Sequence, residues 1–117
     1  MTVDERLEQA LDGLVEKVPW YPNTPEFSDG KVPDRYIIVN VAEKGGNYSE
    51  SEHNCDEYFV SLNVYTPRLD FKLYNHLKKA MYGAGFVYVD GGKVDDDKLF
   101  PYNTHYYLDF TAVIAFE

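Results

Sequence analysis

Two long segments of this chain, residues 55–66 and 105–116, alternate between apolar and polar side chains. Successive side chains of a strand point to opposite faces, so this pattern predicts two strands with one buried and one largely wet face. Such strands are typical of antiparallel sheets, which makes a sheet the frame of the fold. The predicted core-facing residues are Tyr58, Val60, Leu62 and Val64 in the first strand, and Tyr106, Leu108, Phe110, Ala112, Ile114 and Phe116 in the second.

Two helices accompany the sheet. In the first, apolar residues recur every three or four positions from Val3 to Val18, Thr2 or Asp4 serves as N-cap, and Pro19 ends the helix. In the second, Asp70 is the expected N-cap and Gly85 the expected C-cap. Its predicted apolar stripe is Phe71, Tyr74, Leu77, Met81 and Ala84.

Residues 36–41 and 86–89 add two shorter strands. We therefore predict an α+β fold in the order α-β-β-α-β-β, with a four-stranded, mostly antiparallel sheet and both amphipathic helices packed on one face. The proline-rich stretch 19–35 is expected to be an irregular connection, and residues 90–93 a turn. Residues 43–54 are expected to form a mobile acidic hairpin arm within one domain that spans residues 1–117.

Composition narrows the class of protein. With 44% hydrophobic and 16% aromatic residues among 117, the chain holds too much apolar surface for global disorder. A single cysteine, Cys55, excludes a disulfide scaffold. No apolar run reaches the roughly 20 residues that a membrane helix needs, and the acidic N-terminus is unlike a secretory signal. We expect a soluble protein of a reducing cytoplasm.

The formal net charge is −9, which disfavours binding to DNA or to an anionic membrane. One segment, 68–79, is basic, whereas 43–57 is strongly acidic. The basic segment is either a solvated helix face or one half of a contact between subunits, with the acidic arm as the other half. The open face of the sheet is also rich in apolar residues, which indicates a covering loop or subunit. The candidate interface residues are Arg68, Lys72, Lys78, Lys79, Glu50, Glu52, Glu57, Phe59 and Tyr107.

No set of residues matches a known catalytic pattern. Asp95, Asp96 and Asp97 follow Asp90 but lack the alternating order of a calcium-binding loop. His53 and Cys55 are too few for a structural zinc site, and the acids around Cys55 disfavour a reactive thiolate. We expect no enzyme, no metal and no cofactor. The alternative is a small divalent-metal-dependent enzyme or ligand-binding domain that uses the Asp90–Asp97 cluster and His105.

The layout resembles the tail-terminator, or tail-completion, proteins of long-tailed bacteriophages, also described as minor capsid or head–tail joining proteins. The similarity runs through most of the chain. Its features are the amphipathic N-terminal helix, the proline-rich link, residues 32–39 entering the first strand, the polar arm, the strand 58–65, the helix 73–84 closing in Ala84-Gly85-Phe86, and the final strand 105–116.

The resemblance implies a non-enzymatic subunit of a hexameric ring that caps the tail tube at its head-proximal end. The implied partners are further copies of the chain, the tail-tube protein and the head-completion or connector proteins. DNA would pass through the ring without specific binding. The implied location is the virion tail, with assembly in the host cytoplasm, and a head-side stopper or connector is the nearest alternative.

Overall fold

A computed structural model describes residues 2–22, 33–43, 55–94 and 104–115. Five strands of one sheet lie in the spatial order β1-β2-β3-β5-β4, and two helices accompany them. The elements in chain order are α1 (Val3–Asp12), β1 (Trp20–Pro22), β2 (Tyr36–Glu43), β3 (Cys55–Thr66), α2 (Phe71–Gly83), β4 (Val87–Val94) and β5 (Thr104–Ala115).

The α+β class is confirmed, but the prediction of four antiparallel strands in the order α-β-β-α-β-β is wrong. Within the proline-rich stretch, residues 20–22 form a fifth strand that pairs in parallel with β2, which makes the sheet mixed. The amide of Ile37 donates to the carbonyl of Pro19 at 2.9 Å and begins this pairing. Pro22 has no N–H to donate, and an edge strand tolerates that loss.

Helix α1 ends at Asp12, six residues before the predicted end. Thr2 and Glu5 form a capping box at its start, and the amide of Gly13 donates to the carbonyl of Leu11 at its end. Leu14 and Val18 continue the apolar spacing and are buried, although neither is helical. The pattern therefore identified the core residues correctly and placed the helix end too late.

Helix α2 begins and ends close to the predicted residues. The Asp70 side chain accepts from the amide of Leu73, which confirms the N-cap. At the other end, Phe86 donates to the Met81 carbonyl and Gly85 to that of Tyr82, a Schellman motif that leaves Gly85 at φ +96°. The predicted apolar stripe needs one correction, since Leu73 is buried whereas Phe71 is 58% exposed.

Strand β4 runs through residues 90–93, where we expected a turn. A β-bulge between Tyr88 and Asp90 shifts its register against β5 and lets the strand continue. In the part of the chain that the structure describes, β4 lies at one edge of the sheet and β1 at the other.

One face of the sheet packs against both helices. The core-facing residues predicted for β3 and β5 that the structure describes lie in or against this core, and Ile37 and Val39 of β2 join them. The side chains of Ile114 and Phe116 lie outside the described residues, as does the predicted arm beyond Glu43. The fully buried helix residues that complete the core include Leu11, Leu73, Leu77 and Met81.

Truncation of Leu77 tests the predicted core. Its side chain is fully buried among α1, α2 and the sheet, so Leu77→Ala removes apolar burial and leaves a cavity. We expect a loss of about 2–5 kcal/mol in the free energy of unfolding, measured by urea denaturation. A loss under about 0.5 kcal/mol, the range of surface substitutions, would contradict this packing.

Gly85 and Gly83 form a matched pair for the end of α2. A Cβ at Gly85 would lie 2.3 Å from Nη1 of Arg6 on a backbone at φ +96°, whereas a Cβ at Gly83 meets no atom within 4 Å. We expect Gly85→Ala to destabilise by about 1 kcal/mol or more and Gly83→Ala to be neutral or stabilising by up to about 1 kcal/mol. Equal changes in urea midpoint for the two variants would argue against the Schellman motif.

Candidate interaction surfaces

The sheet face away from the helices, here called the open face, begins with an aromatic stack. Tyr36, Tyr65 and His105 face one another across β2, β3 and β5. The rings of Tyr36 and Tyr65 stack with centroids 4.7 Å apart, and those of Tyr65 and His105 at 4.4 Å. A ring nitrogen of His105 also lies 2.8 Å from Oδ1 of Asn63. The stack fixes His105 in place at this end of the open face.

Farther along the open face, Asp109 of β5 lies directly opposite Asp90 of β4. The Ser61 hydroxyl donates to Asp109 at 2.8 Å, and the Tyr107 hydroxyl donates to Asp90 at 3.1 Å. The hydrogen bond to Asp90, with the charge of that carboxylate, raises the pKa of Tyr107 above its ordinary value. These hydroxyl contacts hold two like charges on neighbouring strands.

The three predicted open-face residues, Glu57, Phe59 and Tyr107, are half-buried. Phe59 pairs with Thr111, which pairs in turn with Val87 of the edge strand. Val113 follows two residues later on β5 and is 60% exposed. This end of the open face therefore carries apolar side chains beside Glu57, which lies opposite Val113.

The basic residues predicted for the interface occupy α2 and the loop before it. Arg68, Lys72 and Lys79 are exposed. Lys78 lies with its Nζ 4.5 Å from the ring centroid of Tyr88 on β4, a cation–π contact that places this side of α2 over the β4 edge. The basic segment is thus a solvent-facing helix surface, and one of its lysines also packs within the molecule.

Exposed apolar side chains are most frequent on α2 and β4. Nine large hydrophobic residues of the described chain are exposed, and six of them lie on α2, just before it or on β4. Large exposed apolar patches on soluble proteins commonly mark interaction sites. The six residues are Leu69, Phe71, Tyr82, Val87, Tyr88 and Val89.

Helix α1 carries charge of the opposite sign. Its exposed carboxylates are Asp4, Glu5, Glu8 and Asp12, whereas its one base, Arg6, is half-buried. Asp12 accepts from the indole of Trp20 at 2.8 Å, which places it next to β1. The sequence showed these acids as a polar helix face but gave no sign that the last of them, Asp12, lies next to β1.

The structure does not bring all the predicted interface residues together. The basic residues lie on the helix side of the sheet, whereas Glu57, Phe59 and Tyr107 lie on the open face. Glu50 and Glu52 lie outside the described residues, so their pairing with α2 stays a prediction. What the fold adds is a basic surface on α2 and an acidic surface on α1, two helices that pack side by side on one face of the sheet.

Residues considered for metal chemistry are separated. Among the described residues, no group of three or more His, Cys, Asp or Glu side chains is placed to hold a metal ion. His105 and Asp109 lie four residues apart on β5, a distance of about 13 Å along the strand. Asp90 of β4 lies opposite Asp109 and not opposite His105. Asp95, Asp96 and Asp97, His53, and the side chain of Cys55 lie outside the described part of the chain.

A shallow groove of about 190 Å³ lies between the turn after α1 and α2. Its lining includes Leu14, Val15, Lys79 and Ala80, together with Glu16 and His76. Oε2 of Glu16 and Nδ1 of His76 are 2.5 Å apart, a contact that ties the turn to α2. The groove is open and mostly apolar. Glu16 and His76, the two side chains in it that could bind a metal ion, are already bonded to each other.

No known protein family and no curated protein sequence matches this chain significantly. None of the described helices combines the length and apolar character that crossing a bilayer requires. The function is therefore inferred from the surfaces described above.

The hydrogen bond between Tyr107 and Asp90 can be tested by titration. The pKa of Tyr107 is higher in the folded chain than its ordinary value of 10.0. The hydrogen bond to Asp90 therefore contributes to the free energy of unfolding below pH 10, and this contribution is lost as pH rises through the pKa of the folded state. We expect Asp90→Asn to lower that pKa toward 10, measured by NMR of ring-labelled tyrosine with Tyr107→Phe for assignment. An unchanged Tyr107 titration would show that Asp90 does not control it.

Proposed function

We propose that this protein is a structural subunit of a phage tail, forming a ring that terminates the tail tube and joins it to head-completion proteins. The observation that carries the proposal is the exposure of aromatic side chains on the side of α2 next to β4. Tyr82 is 77% exposed and Phe71 58% exposed, and their helical spacing places them on the same side of α2 as Lys78, which lies over Tyr88 of β4. A protein whose work is contact with other subunits keeps such side chains for the assembled state.

A ring of identical subunits joined head to tail needs two different contact surfaces on each copy. The basic face of α2 and the acidic face of α1 are two such surfaces. The residues that form them include Lys72 and Lys79 on α2 and Glu8 and Asp12 on α1. The overall resemblance to tail-terminator proteins supplies the identity of the ring.

The net charge of −9 also suits a ring through which DNA passes. Carboxylates repel phosphates, and at about 0.15 M salt the repulsion reaches about 8 Å, so it acts on DNA close to the wall of a channel. A ring subunit of this kind needs neither a metal nor a cofactor.

The proposal is tested by assembly of the purified chain, alone and with the tail-tube protein from the same phage. We expect native mass spectrometry and electron microscopy to detect ring-sized oligomers at the ends of tubes. Tyr82→Ala should weaken assembly by about tenfold or more, because exposed aromatic residues at contacts often dominate binding. Its unfolding midpoint should stay within the small range expected of surface substitutions.

Val41→Ala is the matched control, since Val41 is exposed on β2, which β3 and β5 separate from β4. It should assemble like the wild-type chain. A wild-type chain that stays monomeric at high concentration and binds no tail-tube protein would overturn the proposed function. Binding to connector proteins alone would assign the chain to the head side of the joint.

A further inference from the structure

We infer that the acidic face of α1 in one copy is the partner of the basic face of α2 in the next copy. This pairing rests on the self-association in the proposed function and names the surfaces that make it. It assigns the acidic partner of α2 to residues 4–12, where the sequence had pointed to the arm at 43–57.

Charge favours this pairing. Helix α2 carries Lys72, Lys78 and Lys79 and has no acidic residue, whereas the exposed charges of α1 are all acidic. The side chains of Lys72, Lys79, Asp4 and Glu8 make no hydrogen bond or ion pair within the described chain. Their charges are therefore available to a second molecule, and complementary patches steer encounter and fix register.

The positions of the two helices also favour it. The two helices lie side by side on the same face of the sheet, with Arg6 of α1 next to Gly85 at the end of α2 and Glu16, after α1, bonded to His76 of α2. The charged faces of α1 and α2 are therefore exposed on the same side of the molecule, where a second copy meets both. A contact between the acidic face of one copy and the basic face of the next joins two different surfaces, as a head-to-tail ring requires.

Apolar side chains on the same surface add affinity to the charge contact. Phe71 and Tyr82 are exposed on α2 beside the lysines, and aromatic residues are enriched where protein surfaces bind each other. The net charge of −9 opposes association at long range, but about 0.15 M salt screens charges more than about 8 Å apart. The local contact between complementary charges therefore determines whether two copies associate.

The test is a charge exchange between the two helices. One double variant carries Lys72→Glu and Lys79→Glu, and the other carries Asp4→Lys and Glu8→Lys. All four residues are exposed, and the substitutions leave the capping residues Thr2, Glu5 and Asp70 intact. Thermal unfolding by circular dichroism should show that both variants keep the fold of the wild-type chain.

Sedimentation velocity then measures self-association of each variant. We expect each double variant alone to associate about tenfold or more weakly than wild type, since several exposed charge pairs change from attractive to repulsive. An equimolar mixture should return to within about threefold of wild type, because the carboxylates introduced on α2 then face the ammonium groups introduced on α1 across the alternating contacts. Asp34→Lys reverses an exposed charge that belongs to neither helix and should have no effect.

The outcomes separate the two proposals. If the wild-type chain assembles and Asp4→Lys with Glu8→Lys has no effect, the pairing of α1 with α2 is wrong while the ring function stands. The same conclusion follows if the mixture does not recover. A wild-type chain that never associates overturns both proposals.

Discussion

The core and both surfaces of this protein follow from the pairing of β3 with β5. The two strands share twelve paired residues, from Cys55 with Ala115 to Thr66 with Thr104. Because the register fixes which side chains face the same way, it aligns the apolar residues of both strands on one face of the sheet. Helices α1 and α2 bury that face, and the open face holds the remaining side chains, among them a smaller buried cluster of Tyr36, Ile38 and Tyr65. A slip of one residue would exchange the two faces and remove the core.

The same register builds the candidate surfaces. It places His105 against Tyr65 and Phe59 against Thr111, and it places Asp109 where β4 brings Asp90 opposite. Edge strands with unpaired backbone groups commonly invite association, and proteins control them with bulges and charges. Strand β4 has a bulge, Asp90 and Lys93, yet it keeps Val87 and Val89 exposed. That combination is consistent with an edge that a specific partner uses.

The fold also explains why a chain with strong net charge can still offer a selective contact. Charges of opposite sign are segregated on two neighbouring helices, with acids on α1 and bases on α2. Arg6, the only base in α1, is half-buried near Gly85 at the end of α2, which leaves the exposed face of α1 acidic. This arrangement depends on the helix that each residue occupies and on which strand that helix covers.

Local periodicity was enough to predict the α+β class, the limits of β3, the core faces of β3 and β5, and the caps Asp70 and Gly85, because these features follow from local spacing and local hydrogen bonds. It failed where a distant strand decides the local structure. Residues 20–22 become a strand only because β2 offers a parallel partner, and residues 90–93 continue β4 because β5 runs alongside. The sequence likewise showed a basic α2 and an acidic α1, but their side-by-side packing on one face of the sheet came from the tertiary structure, since it depends on contacts between residues far apart in the chain.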